Sequence, residues 1–208
     1  YRNGTKAGTN WYDMTMRDFA PQFQQNLSAS GSSGDNKIDY FINLGYARQE
    51  GIWKSNSLKY DRYNLRSNLN AQISNRLKAS LKLNGILENK MNPKVPSWQL
   101  FSQLWRAQPN ETYYANNNPD YLYKPVFEHP GANSDSDLSG YQKDQNSWLQ
   151  SQFSLDYQVP YLDGLTARGM FSYDARNNNF KDYRKGYNVY DYNAASDSYT
   201  AYNKNGPD

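Results

Sequence analysis

Apolar side chains recur at every second position through much of this chain. In residues 63–74, YNLRSNLNAQIS, Tyr63, Leu65, Leu69, Ala71 and Ile73 share one parity. Asn64, Arg66, Asn68, Asn70, Gln72 and Ser74 share the other, and Ser67 alone breaks the apolar row. Side chains of a strand point alternately to opposite faces, so the stretch reads as a strand with one oily and one wet face. LKASLKLNGILEN follows with Leu77, Ala79, Leu81, Leu83 and Leu87 against Lys78, Ser80, Lys82, Asn84 and Glu88. The tight turn Ser74-Asn75-Arg76 joins the two into the clearest hairpin of the sequence. The same alternation marks residues 25–30, residues 38–48 with Tyr40, Ile42, Leu44 and Tyr46 in phase, residues 149–159, and residues 165–174. GSSGDNK and PYLDG supply turn chemistry between neighbouring strands.

The connections alternate between short and long. Residues 90–145 hold six of the nine prolines, together with NNN, PGANSDSD and many tyrosines. A short helix is predicted there at SWQLFSQLWRA, with Ser97 as N-cap and Trp98, Phe101, Leu104 and Trp105 on one face. From Asn177 onward the chain reads as a Tyr/Asn/Asp-rich loop holding a small hairpin, YNVYDYNAASDSYTAY. Long strands joined by short turns at one end and long loops at the other are the pattern of outer-membrane barrels, in which about 9–11 tilted residues cross the bilayer. Aromatic residues near strand ends (Tyr40, Tyr46, Tyr60, Tyr63, Trp148, Tyr157, Tyr161) fit rings that favour the headgroup level. Alternation alone also fits a soluble β-sandwich with one solvated face.

Composition narrows this picture. Hydrophobic residues make up 37% of the chain and mean hydropathy is −1.04, low for a chain of 208 residues with a full core. Aromatics reach 16%, which argues against disorder. Twenty-three basic and 20 acidic residues leave a net charge of +3, too balanced to indicate nucleic acid as a partner. With no cysteine, the chain has no disulfide framework, thiolate metal site or cysteine nucleophile. No apolar run is long enough for a membrane helix, and YRNGTKAGTN lacks a signal-peptide core, so Tyr1 is not expected to be the native N-terminus of an exported protein.

Catalytic motifs are missing, and the protein is not expected to be an enzyme or to need a cofactor. The one histidine, His129, lies in HPGANSD and is expected to be solvated. DSDLSG places Asp135, Asp137 and Ser139 like the start of a calcium loop, but the twelfth position is Asn146. A solvated polar loop is the preferred reading of that stretch over a structural calcium site. Trp98, Trp105, Tyr113, Tyr114, Tyr121 and Tyr123 are candidate ligand- or partner-contact residues, with packing of the loop on itself as the competing role.

Four segments carry a resemblance. NWYDMTMRDFAPQFQQNLSASG, YFINLGYARQEGIW, LKYDRYNLRSNLNAQISNRLKASLKLNG and LDYQVPYLDGLTARGMFSYD resemble, in order and spacing, the SusC/RagA-type TonB-dependent outer-membrane transporters. That pattern has a Trp-led helix before an NLSxSG strand, then YFxSxGYxxQEG, RYxxRxNLxxxIxxxLK and a YxIPWLKGL hairpin. Here Asn10 stands where Asp usually precedes the tryptophan, and Tyr161 where Trp is common.

The resemblance implies an all-β fold: a segment of a large transmembrane antiparallel barrel of about six long strands, with short periplasmic turns and long extracellular loops. Residues 22–89 would be barrel strands, 90–145 a long extracellular loop, 146–176 a barrel hairpin and 177–208 a further extracellular loop, with the plug domain outside this chain. Tyr63, Leu65, Leu69, Leu81 and Leu83 would face lipid; Arg66, Asn68, Asn70 and Lys82 would face the lumen. The implied role is import of oligosaccharides or peptides across the bacterial outer membrane. A SusD-type lipoprotein would serve as lid, and TonB would act through the plug. A soluble carbohydrate-binding β-sandwich and a non-transporting barrel or adhesin stay open as alternatives.

Overall fold

A computed structural model describes residues 8–162 and 164–204. Asp163 of the PYLDG turn, and the chain ends included in the expected barrel segment, lie outside the described residues. Six strands form one antiparallel sheet in sequence order: β1 (Gln22–Ser32), β2 (Ile38–Glu50), β3 (Lys59–Ser74), β4 (Leu77–Pro93), β5 (Gly140–Gln158) and β6 (Thr166–Arg184). A separate hairpin pairs β7 (Tyr187–Asn193) with β8 (Ser198–Lys204). Helices α1 (Trp11–Thr15), α2 (Ser97–Arg106), α3 (Pro130–Ser134) and α4 (Ser136–Ser139) all lie outside the sheet strands, at or between their ends.

Register carries the alternation across the whole sheet. One row runs Leu27, Leu44, Leu65, Gly85, Leu149, Ala175, and another Gly31, Tyr40, Leu69, Leu81, Phe153, Phe171. The intervening rows of the opposite face run Ser28, Asn43, Arg66, Asn84, Gln150, Asp174 and Ser30, Phe41, Asn68, Lys82, Gln152, Ser172. A one-residue slip between any two strands would mix the faces, so the period-2 pattern fixes the register. A bulge at Gln72/Ser74 takes up Ile73 just before the two-residue turn at Asn75 and Arg76.

The turns fall as the sequence predicts. Residues 33–37, 75–76 and 159–165 close one end of the sheet; residues 51–58 and 94–139 bridge the other. Gly164 sits at φ +84°, a conformation that side-chain-bearing residues rarely adopt, which accounts for the glycine of PYLDG. The strands run longer than the alternation suggested: β4 continues to Pro93, β5 starts at Gly140, and β6 reaches Arg184 through NNNFKDYR, read from sequence as loop. Backbone pairing extends them where side-chain patterning has already turned polar on both faces.

Among the described residues, no second sheet covers the apolar face. Leu27, Leu44, Leu65, Leu69 and Phe171 are all exposed. Among the described residues, the buried core lies in the long-loop connections and in β7. One cluster joins Trp11, Trp53, Leu100 and Leu104; the other joins Ala132, Tyr187 and Val189. A sandwich puts its core between sheets; among the described residues burial lies in the loops instead.

A loop layer as the candidate recognition site

The loop layer is built on short-range signals. Asn10 caps α1, its side chain accepting from the Asp13 amide at 3.4 Å, and this sets Trp11 inward. The Trp11 indole N–H donates to the Gln108 carbonyl at 2.9 Å. The QEGIW element closes the other side. Glu50 pairs with Arg17 at 2.8 Å and with Arg48 at 2.9 Å, and Arg17 also donates to the Trp53 carbonyl at 3.0 Å. Gly51 abuts Leu58 so closely that a Cβ would lie 2.5 Å from its side chain, and this close approach lets Trp53 be fully buried. Trp-led helix and QEG turn are therefore two halves of one packing unit.

Helix α2 packs on that unit, differently from expectation. Its N-cap is Pro96, not Ser97, and no side chain caps it. Leu100, Gln103 and Leu104 face inward. Trp98 is 71% exposed and Trp105 84%, with Phe101 partly exposed between them and against Trp53 at 5.3 Å. The predicted aromatic face is real, but it is the outer one: only Leu104 of that set is buried. Arg106 lies over the ring of Phe127, 5.5 Å from its centre, and extends the outward aromatic surface.

His129 is buried, contrary to the solvated reading. As N-cap of α3, its Nδ1 accepts from the Ala132 amide at 3.1 Å, which leaves the proton on Nε2 to be donated to the Tyr113 carbonyl at 3.1 Å. The ring packs edge-on against Trp11 and Tyr113. Burial lowers its pKa to about 4. HPG is thus a helix start, with Pro130 at the first helical position, where its missing N–H costs nothing. Next to it, Asn133 donates to Gln103 at 3.1 Å and accepts from the Tyr187 hydroxyl at 2.9 Å, tying α2, α3 and β7 together.

Asp135, Asp137 and Ser139 are not brought together as ligands. Asp135 caps α4 by accepting from the Asp137 amide at 2.8 Å. Ser139 is buried and donates to the Asn133 carbonyl at 3.1 Å, while Asp137 is exposed. Among the described residues, no cluster of three or more His, Cys, Asp or Glu could hold a metal.

The candidate tyrosines divide by position. Tyr113 lies inside the layer against Trp11, His129 and Tyr114, and burial raises its pKa. Tyr121 stacks on Tyr199 at 4.1 Å and meets Tyr190 edge-on at 4.8 Å. Tyr192 approaches Tyr199 at 5.0 Å. Tyr114 and Tyr123 hold the 113–123 segment in place, bridging to Leu122 and Tyr190 respectively. Sequence reasoning missed Phe127, Tyr190 and Tyr199 as parts of the aromatic surface; the alternation within the predicted YNVYDYNAASDSYTAY hairpin was the usable signal. Arg66, Asn68, Asn70 and Lys82 lie together on the polar face of the sheet. Tyr60 and Trp148 also point to the polar face. Tyr60 donates to Glu88 at 2.6 Å and Trp148 lies beneath Arg176, so neither belongs with Tyr46 and Tyr63, which stack at 5.0 Å on the apolar face.

An unpaired apolar face, a polar opposite face and a core confined to the loops at one end are the features of a barrel wall. The RagAB peptide importer superposes in both its closed-closed and open-open states, with TM-scores of 0.59 and 0.60, at 19% identity over 82% of this chain and 19% of that one. The chain has the fold of the matching part of the RagAB barrel. A TonB-dependent receptor of Formosa agariphila is 24% identical over 157 residues, which is 76% of this chain and 15% of that receptor. The chain therefore spans only a small part of the length of the relatives it matches. No family model matches it. By name, these relatives are a receptor and a peptide importer.

Proposed function

We propose that the chain forms part of the wall and mouth of an outer-membrane TonB-dependent importer. In this reading the Leu65/Leu69/Leu81/Leu83 face meets lipid. The face bearing Arg66, Asn68, Asn70 and Lys82 lines the lumen, which in the whole protein holds a plug through which TonB acts. The observation that carries it is the exposed apolar face of a single-layer sheet whose buried core is displaced into the loops. Its dimensions agree. From Leu77 to Leu87 the apolar rows rise about 33 Å along β4, or about 25 Å at a barrel tilt of about 40°, the height of the apolar band of such barrels. The outward aromatics of the loop layer suit a SusD-type lipoprotein lid or the cargo, an oligosaccharide or a peptide. Support for this is the pairing of Trp98, Phe101 and Trp105 on a helix whose other face is anchored.

Adjacent cysteines test the facing. In the full-length protein in bilayers, Leu69→Cys is expected to react with a membrane-soluble maleimide and to resist a charged one, and Asn68→Cys to show the reverse. Equal labelling of both sites by the charged reagent would reject the assignment of faces.

A further inference from the structure

On the apolar side of the sheet the rows turn polar above Tyr46, Tyr63 and Leu87. The next row is Phe23, Arg48, Asp61, Asn89, Gln145, Asn179, and the one above it is Glu50, Lys59, Met91, Lys143, Lys181. In that upper row Lys143 and Lys181 stand directly opposite each other on β5 and β6, and Lys59 lies one strand beyond Met91. Like charges in directly opposed positions, with Cβ atoms about 5 Å apart, destabilise a sheet. The two acids of these rows are engaged elsewhere: Glu50 with Arg17 and Arg48, Asp61 accepting from the Tyr46 hydroxyl at 2.9 Å. Lys143 and Lys181 are exposed, and Lys181 lies 5.5 Å from the centre of the Tyr141 ring. An anion between two such ammonium groups would offset the repulsion of the opposed positions.

Which anion follows from the height of the row, taken with the lipid-facing assignment proposed above. Met91 stands about 13 Å along the strand beyond Leu87, or about 10 Å above the apolar edge at the same tilt. The headgroup layer is about 5–8 Å deep on each side, and lysine stems bend their ammonium groups several ångströms toward it. We infer that Lys143 and Lys181, with Lys59 flanking, form a binding site for the phosphate headgroup of an anionic lipid in the outer leaflet. The Tyr141 and Tyr183 rings, 5.5 Å apart, would stand above it.

Native mass spectrometry of the full-length protein tests this, released from phosphatidylcholine nanodiscs doped with phosphatidic acid. The wild type is expected to retain phosphatidic acid, and Lys143→Gln/Lys181→Gln to retain it at least fivefold less. Phosphatidylcholine retention should not change, and Lys143→Arg/Lys181→Arg should restore the anionic lipid. Millimolar inorganic phosphate should not displace the lipid; displacement would mark a site for free phosphate and overturn the lipid assignment. Retention unchanged in the glutamine variant overturns this inference alone. A full-length protein that does not enter bilayers overturns the barrel reading and this inference with it.

Discussion

His129 makes the loop layer acid-sensitive, and the size of the effect can be worked from its surroundings. The ring is buried, its Nδ1 occupied as the cap of α3 and its Nε2–H committed to the Tyr113 carbonyl. Protonation would put a charge into that site and remove the cap acceptor. The folded pKa is accordingly lowered to about 4, against 6.5 for the free side chain. A depressed pKa means that below pH 6.5 the unfolded loop binds a proton that the folded one does not. Stability conferred by neutral His129 is therefore complete above about pH 6.5, declines as the pH falls, and is lost at about pH 4. At about 1.4 kcal/mol per unit the full loss is about 3.5 kcal/mol. That corresponds to roughly a three-hundredfold rise in the open population of the loop layer. Two other titratable groups lie close by. The Tyr113 phenol, raised by burial, stays neutral throughout this range. Asp135, also raised by burial, acts with the opposite sign, because its folded form takes up a proton first as the pH falls.

Hydrogen exchange of residues 111–139 in the full-length protein, corrected for the intrinsic pH dependence of exchange, is the assay. Protection is expected to fall steeply between pH 6.5 and pH 4, while strands β3 and β4 keep theirs. His129→Asn, which retains a capping acceptor but cannot titrate there, should be less protected at pH 7 and show little pH dependence. A wild-type profile parallel to that of His129→Asn across the window would refute the argument.

The remaining predictions concern the wall and the outer face of the loops. Leu81→Arg puts a charge on the apolar face between Leu69 and Phe153; it is expected to cost about 2–4 kcal/mol if the residue lies near the bilayer midplane, visible as loss of the heat-modifiable folded band after insertion. Trp98→Ala combined with Trp105→Ala should leave assembly intact, because both rings are largely exposed. It should weaken lid binding or uptake by about 2 kcal/mol where either ring is a hot spot; unchanged binding and uptake would remove this helix from recognition.

The sheet was legible because its information is local. Leu65, Leu69, Leu81 and Leu83 announce a face by parity alone, and the register adds nothing that contradicts it. Strand ends were less legible, since polar extensions such as NNNFKDYR carry no apolar row; β6 continues through Asn177, Asn178 and Asn179 on backbone pairing and on polar side-chain bonds such as Asn178 to Asp144. In α2 the 3.6-residue period correctly gave the helix and an aromatic stripe. Periodicity cannot say whether a stripe points inward, and here the aliphatic Leu100 and Leu104 fill the interior while the larger indoles stay outside. His129 was misread because its burial depends on Trp11 and Tyr113, contacts far apart in sequence. The same long-range closure decides Asp135 and Ser139, whose calcium-like spacing serves helix caps and turns.

Wall and loop layer draw their stability from different sources, and this shapes what the protein can do. The sheet buries few of its side chains and is held by inter-strand hydrogen bonds; in the proposed barrel, neighbouring strands would pair with the edges of β1 and β6 and lipid would cover the apolar face. The loop layer is the reverse: it folds around Trp11, Trp53, Leu100 and Leu104, with His129 and Asn133 as internal polar ties. Ordering a loop as long as residues 94–139 on its own core presents Trp98 and Trp105 without a large entropic cost at the moment of contact. Because the two parts share few buried contacts, the layer can open, as acid is expected to make it do, without dismantling the barrel beneath it. A recognition surface on a membrane barrel requires that independence, since the wall must remain sealed while the mouth changes its contacts.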